Sequence, residues 1–337
     1  WLAPVRGIRG LAAGAVAGAV LHLAIKVPGL LHNGFRWWPA LDLRSQAVRR
    51  VAALMGPRVL DLGVFHLTLL ITTNLASRLS AGSVSALEWG WDAMQLPETV
   101  IGTAFGLVTL PTLADLAARS DVAGLRRTLG ETLRAVIALT VPATCGLILL
   151  GRPLLRLLYE RGAFNATAVD AVFVALRFYA LGLVGHACLE LAARAFFAQQ
   201  DTVTPLLIAA GSATANVVLG VLLMGPMGHG GLALANSLAV SAEVLTLLLI
   251  LRRRWGGVEG WQTLGALGRV VLAALLMSTV VAGVQVVGQR AGLSLFWVVV
   301  AASVTGFLVY IVAGLLLGVR ALCWLPDALV ARLPFAR

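Results

Sequence analysis

Nine stretches of about twenty mostly apolar residues, divided by gaps holding Gly, Pro and charge, decide what this chain can fold into. A hydrocarbon layer about 30 Å thick is crossed by a helix of about 20 such residues. The stretches run near 8–25, 57–76, 86–110, 135–151, 168–192, 204–224, 231–251, 264–286 and 294–317. No gap between them is long enough to hold a soluble domain. Composition agrees: 59% of the 337 residues are hydrophobic and 12% charged, against about 25% charged in an ordinary soluble domain. The prediction is an all-α fold, a polytopic membrane helix bundle with nine spans.

The chain opens on Trp1 and enters an apolar stretch almost at once, without the basic start, short apolar run and small-residue cleavage site of a secretory leader. The start reads as a cut through a longer protein. The net charge of +11 raises the question of nucleic acid. However, the basic residues punctuate the chain between apolar stretches, which is how topology is written, and no nucleic-acid partner is expected. Cys145, Cys188 and Cys323 lie in or beside apolar segments with no CxxC or Cys/His cluster, so no disulfide framework and no metal site is expected.

Lys/Arg counting sets the orientation. One set of alternate loops, from Lys26 and Arg36 through Arg252–Arg254 to the tail with Arg320, Arg332 and Arg337, holds 16 basic residues; the other, from Arg6 to Arg290, holds seven. The richer side is expected in the cytoplasm, with the C-terminal tail. Ala40–Ala53 reads as an interfacial helix leading into the second span, and Gly151–Arg161 as a similar one on the opposite side.

Polar groups at membrane depth cost a few kcal/mol each on insertion scales, so they face a bundle interior or a watery cavity. At 100° per residue, Arg58, Asp61, Thr68 and Thr72 fall within roughly an 80° arc of the second span. In the third span Glu88, Asp92, Gln95 and Thr99 share one face until Pro97 disturbs the hydrogen-bond ladder. Arg177 lies well inside the fifth span, with His186 and Glu190 further along it. Ser212 and Asn216 share a face of the sixth, and Asn236 and Glu243 stack in the seventh. The stripes together point to a hydrated pathway, with Asp92 and Arg177 as its leading candidates. Each residue taken singly also fits a local ion pair, and Arg58, Glu98, His186, Glu190 and Arg269 also fit snorkelling at span ends. Gly90, Gly102 and Gly106, near Pro97, would let the third span bend.

Several blocks resemble the MurJ/MviN family. Gly82–Pro97 reads GSVSALEWGWDAMQLP, and Ile101–Leu113, three residues on, reads IGTAFGLVTLPTL; Arg161–Phe164 reads RGAF; Ala193–Pro205 reads ARAFFAQQDTVTP; Gly228–Leu238 reads GHGGLALANSL. They occur in the family's order over nearly the whole chain. The resemblance implies the architecture of the multidrug/oligosaccharide-lipid/polysaccharide exporters, two six-helix lobes around a central cavity, with an added helix pair. On that template residues 1–26 are the last helix of a truncated N-terminal lobe, 40–255 the C-terminal six-helix lobe with its leading interfacial helix, and 256–337 the added hairpin and tail.

It also implies a function: flipping of lipid II, or a related undecaprenyl-diphosphate lipid, across the bacterial inner membrane by alternating access, for cell-wall biosynthesis. The partners implied are that lipid, the bilayer and the missing N-terminal lobe. A diphosphate wants cationic, fork-shaped donors, here Arg177 and Arg58. The substrate-cavity set is Arg177, Asp92, Glu88, Arg58, Asp61 and Gln95.

The sequence departs from the family at three positions. The cavity arginine of the third span falls on Asp92, and the acids linked with cation binding fall on Thr72 and Gly220. Thr72, Asn216, Asn236 and Ser237 remain as a polar site for a monovalent cation, weakened by those losses; no other cofactor is expected. Other readings stay open: an exporter of other polyprenol-linked polysaccharides or drugs, or a lipid II-binding scaffold without transport. An integral-membrane transferase would need clustered acids or histidines in a substantial loop. No loop has them and no catalytic residue is assigned; His229, in a Gly-rich turn, stands alone.

Overall fold

The computed structural model describes residues 3–32, 45–162, 164–257 and 260–319. Among these, nine helices are long and apolar enough to cross a membrane, as the spacing predicts. Two compact units are distinguished, Trp1–Ala52 and Ala53–Arg337. The first contains α1 (Ala3–His32), interrupted at Gly7, where φ is 55°, and the opening of α2 (Gln46–Ser77).

The expected interfacial helix at Ala40–Ala53 takes another form. Residues 40–44 lie outside the described residues, and from Gln46 the chain is already in α2, which runs on through Pro57. Gly151–Arg161 likewise is no separate helix. Most of it is the end of α5 (Val122–Tyr159), which continues past Pro153. Straight-chain and apolar residues around both prolines keep the ladder going on either side.

In the second unit α3 (Ser83–Glu98) passes into a five-residue π-helical turn, Thr99–Thr103, and then into α4 (Ala104–Ala118). The turn follows Pro97 directly, because proline has no N–H to donate and its ring crowds the preceding carbonyl. Next come α6 (Ala166–Ala198), α7 (Val203–Met227), α8 (His229–Trp255), α9 (Gly260–Arg290) and α10 (Leu295–Leu316). The turn between α7 and α8 is Gly228 alone, held at φ 58°, a backbone state that costs glycine little.

The central helix is α6. Ala175, Leu176, Leu183, Ala187, Leu191 and Ala195 along it are fully buried. Small residues let its neighbours approach closely. A Cβ on Gly90 would fall 2.9 Å from Ala175 Cβ, one on Gly102 2.9 Å from Ala187 Cα, and one on Gly182 2.6 Å from Ser237 Oγ. Gly90 and Gly102, expected to serve bending, also admit α6. Thr144 of α5 donates to the Ala180 carbonyl at 3.1 Å.

The α9–α10 hairpin packs on α5 through Val270, Ala274, Met277, Ala302 and Tyr310. Tyr310 donates its hydroxyl to the Ala138 carbonyl at 2.5 Å, and Gln285 donates to Leu149 O at 3.1 Å. The faces left over carry large exposed apolar side chains, among them Val108, Leu207, Leu245, Phe307 and Leu316. Lipid accommodates such a surface; water does not.

The loop from α6 to α7 is pinned. The Asp201 carboxylate accepts the Thr204 backbone N–H at 3.0 Å and its hydroxyl at 2.7 Å, satisfying an opening donor of α7. Arg254 donates to the same carboxylate at 2.6 Å and lies 5.2 Å from the Phe196 ring centroid. Partial burial alone would raise the Asp201 carboxyl. The Thr204 hydrogen bonds and the Arg254 charge outweigh it and hold the group below its ordinary 3.8.

Candidate substrate cavity

Within the second unit, helices α2, α3, α4, α6, α7 and α8 line a cavity of about 800 Å³. Arg58, Asp61 and Thr68 enter from α2, and Trp91, Gln95 and Glu98 from α3. The α6 wall supplies His186, Glu190, Arg194 and Phe197; α7 supplies Ser212 and Asn216; α8 supplies Asn236 and Glu243. These positions recur at spacings of three, four or seven residues along each helix, so one face of each is turned inward.

The charges are partly paired. Arg194, 14% exposed, meets Glu190 at 2.5 Å, and both interact with Glu98. The Arg58 guanidinium lies 4.6 Å from the Phe197 ring centroid and interacts with Asp61 one turn away. His186 Nε2 and Asn236 Oδ1 are 3.1 Å apart, and the edge of Trp91 meets the His186 ring at 5.1 Å between centroids. Glu243 is within reach of the Ser212 hydroxyl and of the Asp61 charge. Asp61, Glu98, Glu190 and Glu243 face only Arg58 and Arg194. The cavity is acidic.

The sequence candidates divide accordingly. Arg58, Asp61, Gln95, Asn216 and Asn236 converge on the cavity. Glu88 and Asp92 share an exposed face of α3 and do not line it. Arg177 is exposed, its guanidinium 4.8 Å from the Phe178 ring centroid. Nine residues separate it from His186, so it stands half a turn round α6 from the cavity wall. It does not line this cavity. Thr72 lies outside the cavity, and Ser237 is buried with its hydroxyl donated to Phe178 O at 2.7 Å. The four-residue polar site does not assemble as drawn.

Glu98, His186, Glu190 and Arg194 belong to the wall, whereas the sequence reading placed the first three at span ends and Arg194 in a loop. Their signal was the spacing 186, 190, 194, which follows one face of a helix that runs on to Ala198.

A sequence model of the family described as Lipid II flippase MurJ matches residues 2–303. The chain belongs to the MurJ family. Among curated relatives, the Lipid II flippase MurJ of Burkholderia cenocepacia is 34% identical over 79% of this chain and 53% of its own length. The probable lipid II flippase MurJ of Rhizobium meliloti is 33% identical over 80% of this chain and 49% of its own. That of Haemophilus influenzae is 30% identical over 92% and 62%. The chain thus spans about half the length of the first MurJ relatives. A solved structure titled Lipid II flippase MurJ, inward closed conformation, shares the fold with a TM-score of 0.71 at 21% identity, covering 93% of this chain and 62% of that one. This chain is a multi-pass membrane protein of that flippase family.

Proposed function

We propose that this chain is the cavity-bearing C-terminal part of a flippase that moves lipid II from the inner to the outer leaflet of the bacterial inner membrane by alternating access. The observation carrying this reading is the cavity among six apolar helices of a MurJ-family chain, into which charged and amide side chains reach. Charged and amide side chains are retained at membrane depth where they meet water or a polar cargo.

The charge balance assigns this part a role. A diphosphate does not settle among four carboxylates and two arginines. The anionic group of the lipid is held instead by basic residues supplied from the remainder of the protein, across a cavity both parts wall. The apolar exterior of α9 and α10 offers the polyprenyl chain a surface continuous with the bilayer. The balance of basic loops supports a cytoplasmic C-terminus, which a C-terminal alkaline-phosphatase or fluorescent-protein fusion would check.

The test is complementation. The full-length gene, expressed in a bacterium depleted of its own flippase, should restore growth and the exposure of lipid II at the outer leaflet. Membrane-inserted protein that restores neither would refute the proposal. Exposure of another polyprenol-linked sugar in place of lipid II would transfer it to the polysaccharide exporters.

A further inference from the structure

Arg177 is exposed on α6, its guanidinium 4.8 Å from the Phe178 ring centroid, and it reaches no other group among the described residues. Contact with a ring engages the flat face of a guanidinium and leaves the N–H donors at its rim unused. Arg152 of α5 contrasts with it, donating to both Asp170 oxygens at 2.7 and 2.8 Å.

Arg177 lies on the floor of a groove. Along one flank α5 packs on α6, with Thr144 donating to Ala180 O and Gly151 abutting Phe173. Along the opposite flank lies α8, with Gly230 abutting Phe178 and Gly185 abutting Ser241. Asp170, Val174, Arg177, Leu181 and Val184 follow one another on the strip of α6 between the two. None of the five is buried, and Leu181 is 51% exposed. The cavity wall at His186 and Glu190 is on the other side of the helix, so its water does not reach this arginine.

Depth decides what does. With its 33 residues α6 is about 50 Å long, about 20 Å more than the hydrocarbon layer. In a helix centred there, Arg177, about 16 Å from Ala166, sits roughly 6 Å inside the hydrocarbon boundary. Side chains tilt toward the start of their helix, so the guanidinium rises to the level of the lipid phosphates. The Arg152–Asp170 pair, two turns nearer that end, stands among the headgroups, and Leu181 and Val184 stand among the acyl chains. An unpaired arginine at this depth is costly until an anion meets it. The bilayer brings one, a phosphodiester whose oxygens match the guanidinium fork.

We propose that this strip of α6 binds a phospholipid of the surrounding bilayer, its phosphodiester held by Arg177 and an acyl chain laid along Leu181 and Val184. The site is separate from the cavity and needs no cargo.

The experiment is thermal unfolding of the full-length protein, stripped of lipid in detergent and titrated with phosphatidylglycerol or with diacylglycerol of the same chains. Before lipid is added, parent and variants should unfold alike. A saturable rise in Tm is expected with phosphatidylglycerol and not with diacylglycerol, since a ligand that binds only the folded state stabilises it by mass action. Arg177→Gln should raise the half-saturating concentration by about tenfold, the loss of one charge-assisted contact. Arg177→Lys keeps the charge without the fork and should fall between. Arg78→Gln removes an exposed arginine that donates to Asn74 on α2 and should leave the curve unchanged. Native mass spectrometry of the same samples should count one lipid fewer on Arg177→Gln than on the parent.

An Arg177→Gln protein that responds to phosphatidylglycerol and retains lipid as the parent does would overturn the assignment, as would an equal response to diacylglycerol. Lipid II enters neither titration, so failure here leaves the flipping proposal standing.

Discussion

Arg254 Nη1 and Asp201 Oδ2 stand 2.6 Å apart, joining the end of α8 to the loop that opens α7. The same carboxylate takes two hydrogen bonds from Thr204, so one acid closes a helix start and ties two helices together. Asp201→Ala should cost about 1–2 kcal/mol, the range for a lost capping residue, and Arg254→Ala less than about 1 kcal/mol, because its side chain is 41% exposed. Thermal unfolding of the purified protein in detergent measures both.

The pH dependence follows with its sign. The folded-state carboxyl of Asp201 is held below 3.8, so it titrates at lower pH than in the unfolded chain. Its contribution is complete above that value and is lost as pH falls through the folded-state value. Comparing the parent with Asp201→Asn between pH 3 and 7, the Tm difference should be largest at the neutral end and shrink in the acid range. A difference that grows on acidification would contradict the assigned contacts.

Close approach of α3 and the π-helical turn to α6 depends on Gly90 and Gly102. At Gly102 an added Cβ would meet the backbone of Ala187, which cannot swing away. Gly102→Ala should therefore destabilise by on the order of 1–3 kcal/mol. Gly146 of α5, with nothing within 4 Å of its would-be Cβ, provides the matched comparison: Gly146→Ala should be neutral or stabilising by up to about 1 kcal/mol. Equal effects at both positions would show that helix propensity, not contact, governs them.

The hydroxyl of Tyr310 is the polar tie between α10 and α5, donated to Ala138 O. Tyr310→Phe keeps the ring in its apolar seat beside Ala274 and Met277 and removes one hydrogen bond, at about 1 kcal/mol. Tyr310→Ala also vacates the ring's volume and should cost about 3–5 kcal/mol. The ratio between the two losses, read from unfolding midpoints, separates the hydrogen bond from packing.

What the sequence revealed depended on how local the physics was. Pro97 announces a break because a missing N–H acts within one turn, and the π-helical turn stands immediately after it. Asp61, Gln95, Asn216 and Asn236 were found because each helix keeps a periodic polar face. Periodicity says which residues share a face, not which neighbour that face meets. Arg177 and His186 were therefore both counted in the polar pattern of one span, although they lie on opposite sides of α6. Arg194, the ion-pair partner of Glu190, was misplaced for another reason. A template of about 20 residues per span ends near 192, whereas α6 is 33 residues long and carries Arg194 beyond that limit. Asp92 is polar, periodic and deep in its helix, yet its face is exposed; what meets it is not written in α3.

Arg194 offers the sharpest contrast with Arg177. It sits 14% exposed among Glu190, at 2.5 Å, and Glu98, whereas Arg177 is exposed and faces away from the cavity. Removing Arg194 leaves two carboxylates side by side with no nearby cation, and the orphaned acids, more than the lost pair itself, set the cost. Arg194→Ala should destabilise the protein by on the order of 1–3 kcal/mol, while Arg177→Ala should stay within about 0.5 kcal/mol. Adding Glu190→Gln to Arg194→Ala should recover part of the loss, the non-additivity expected of residues in contact. In complementation the order should be the same, with Arg177→Ala growing as the parent does and Arg194→Ala impaired. Impairment by Arg177→Ala at full membrane abundance, with Arg194→Ala growing normally, would place the working surface of α6 on its other side.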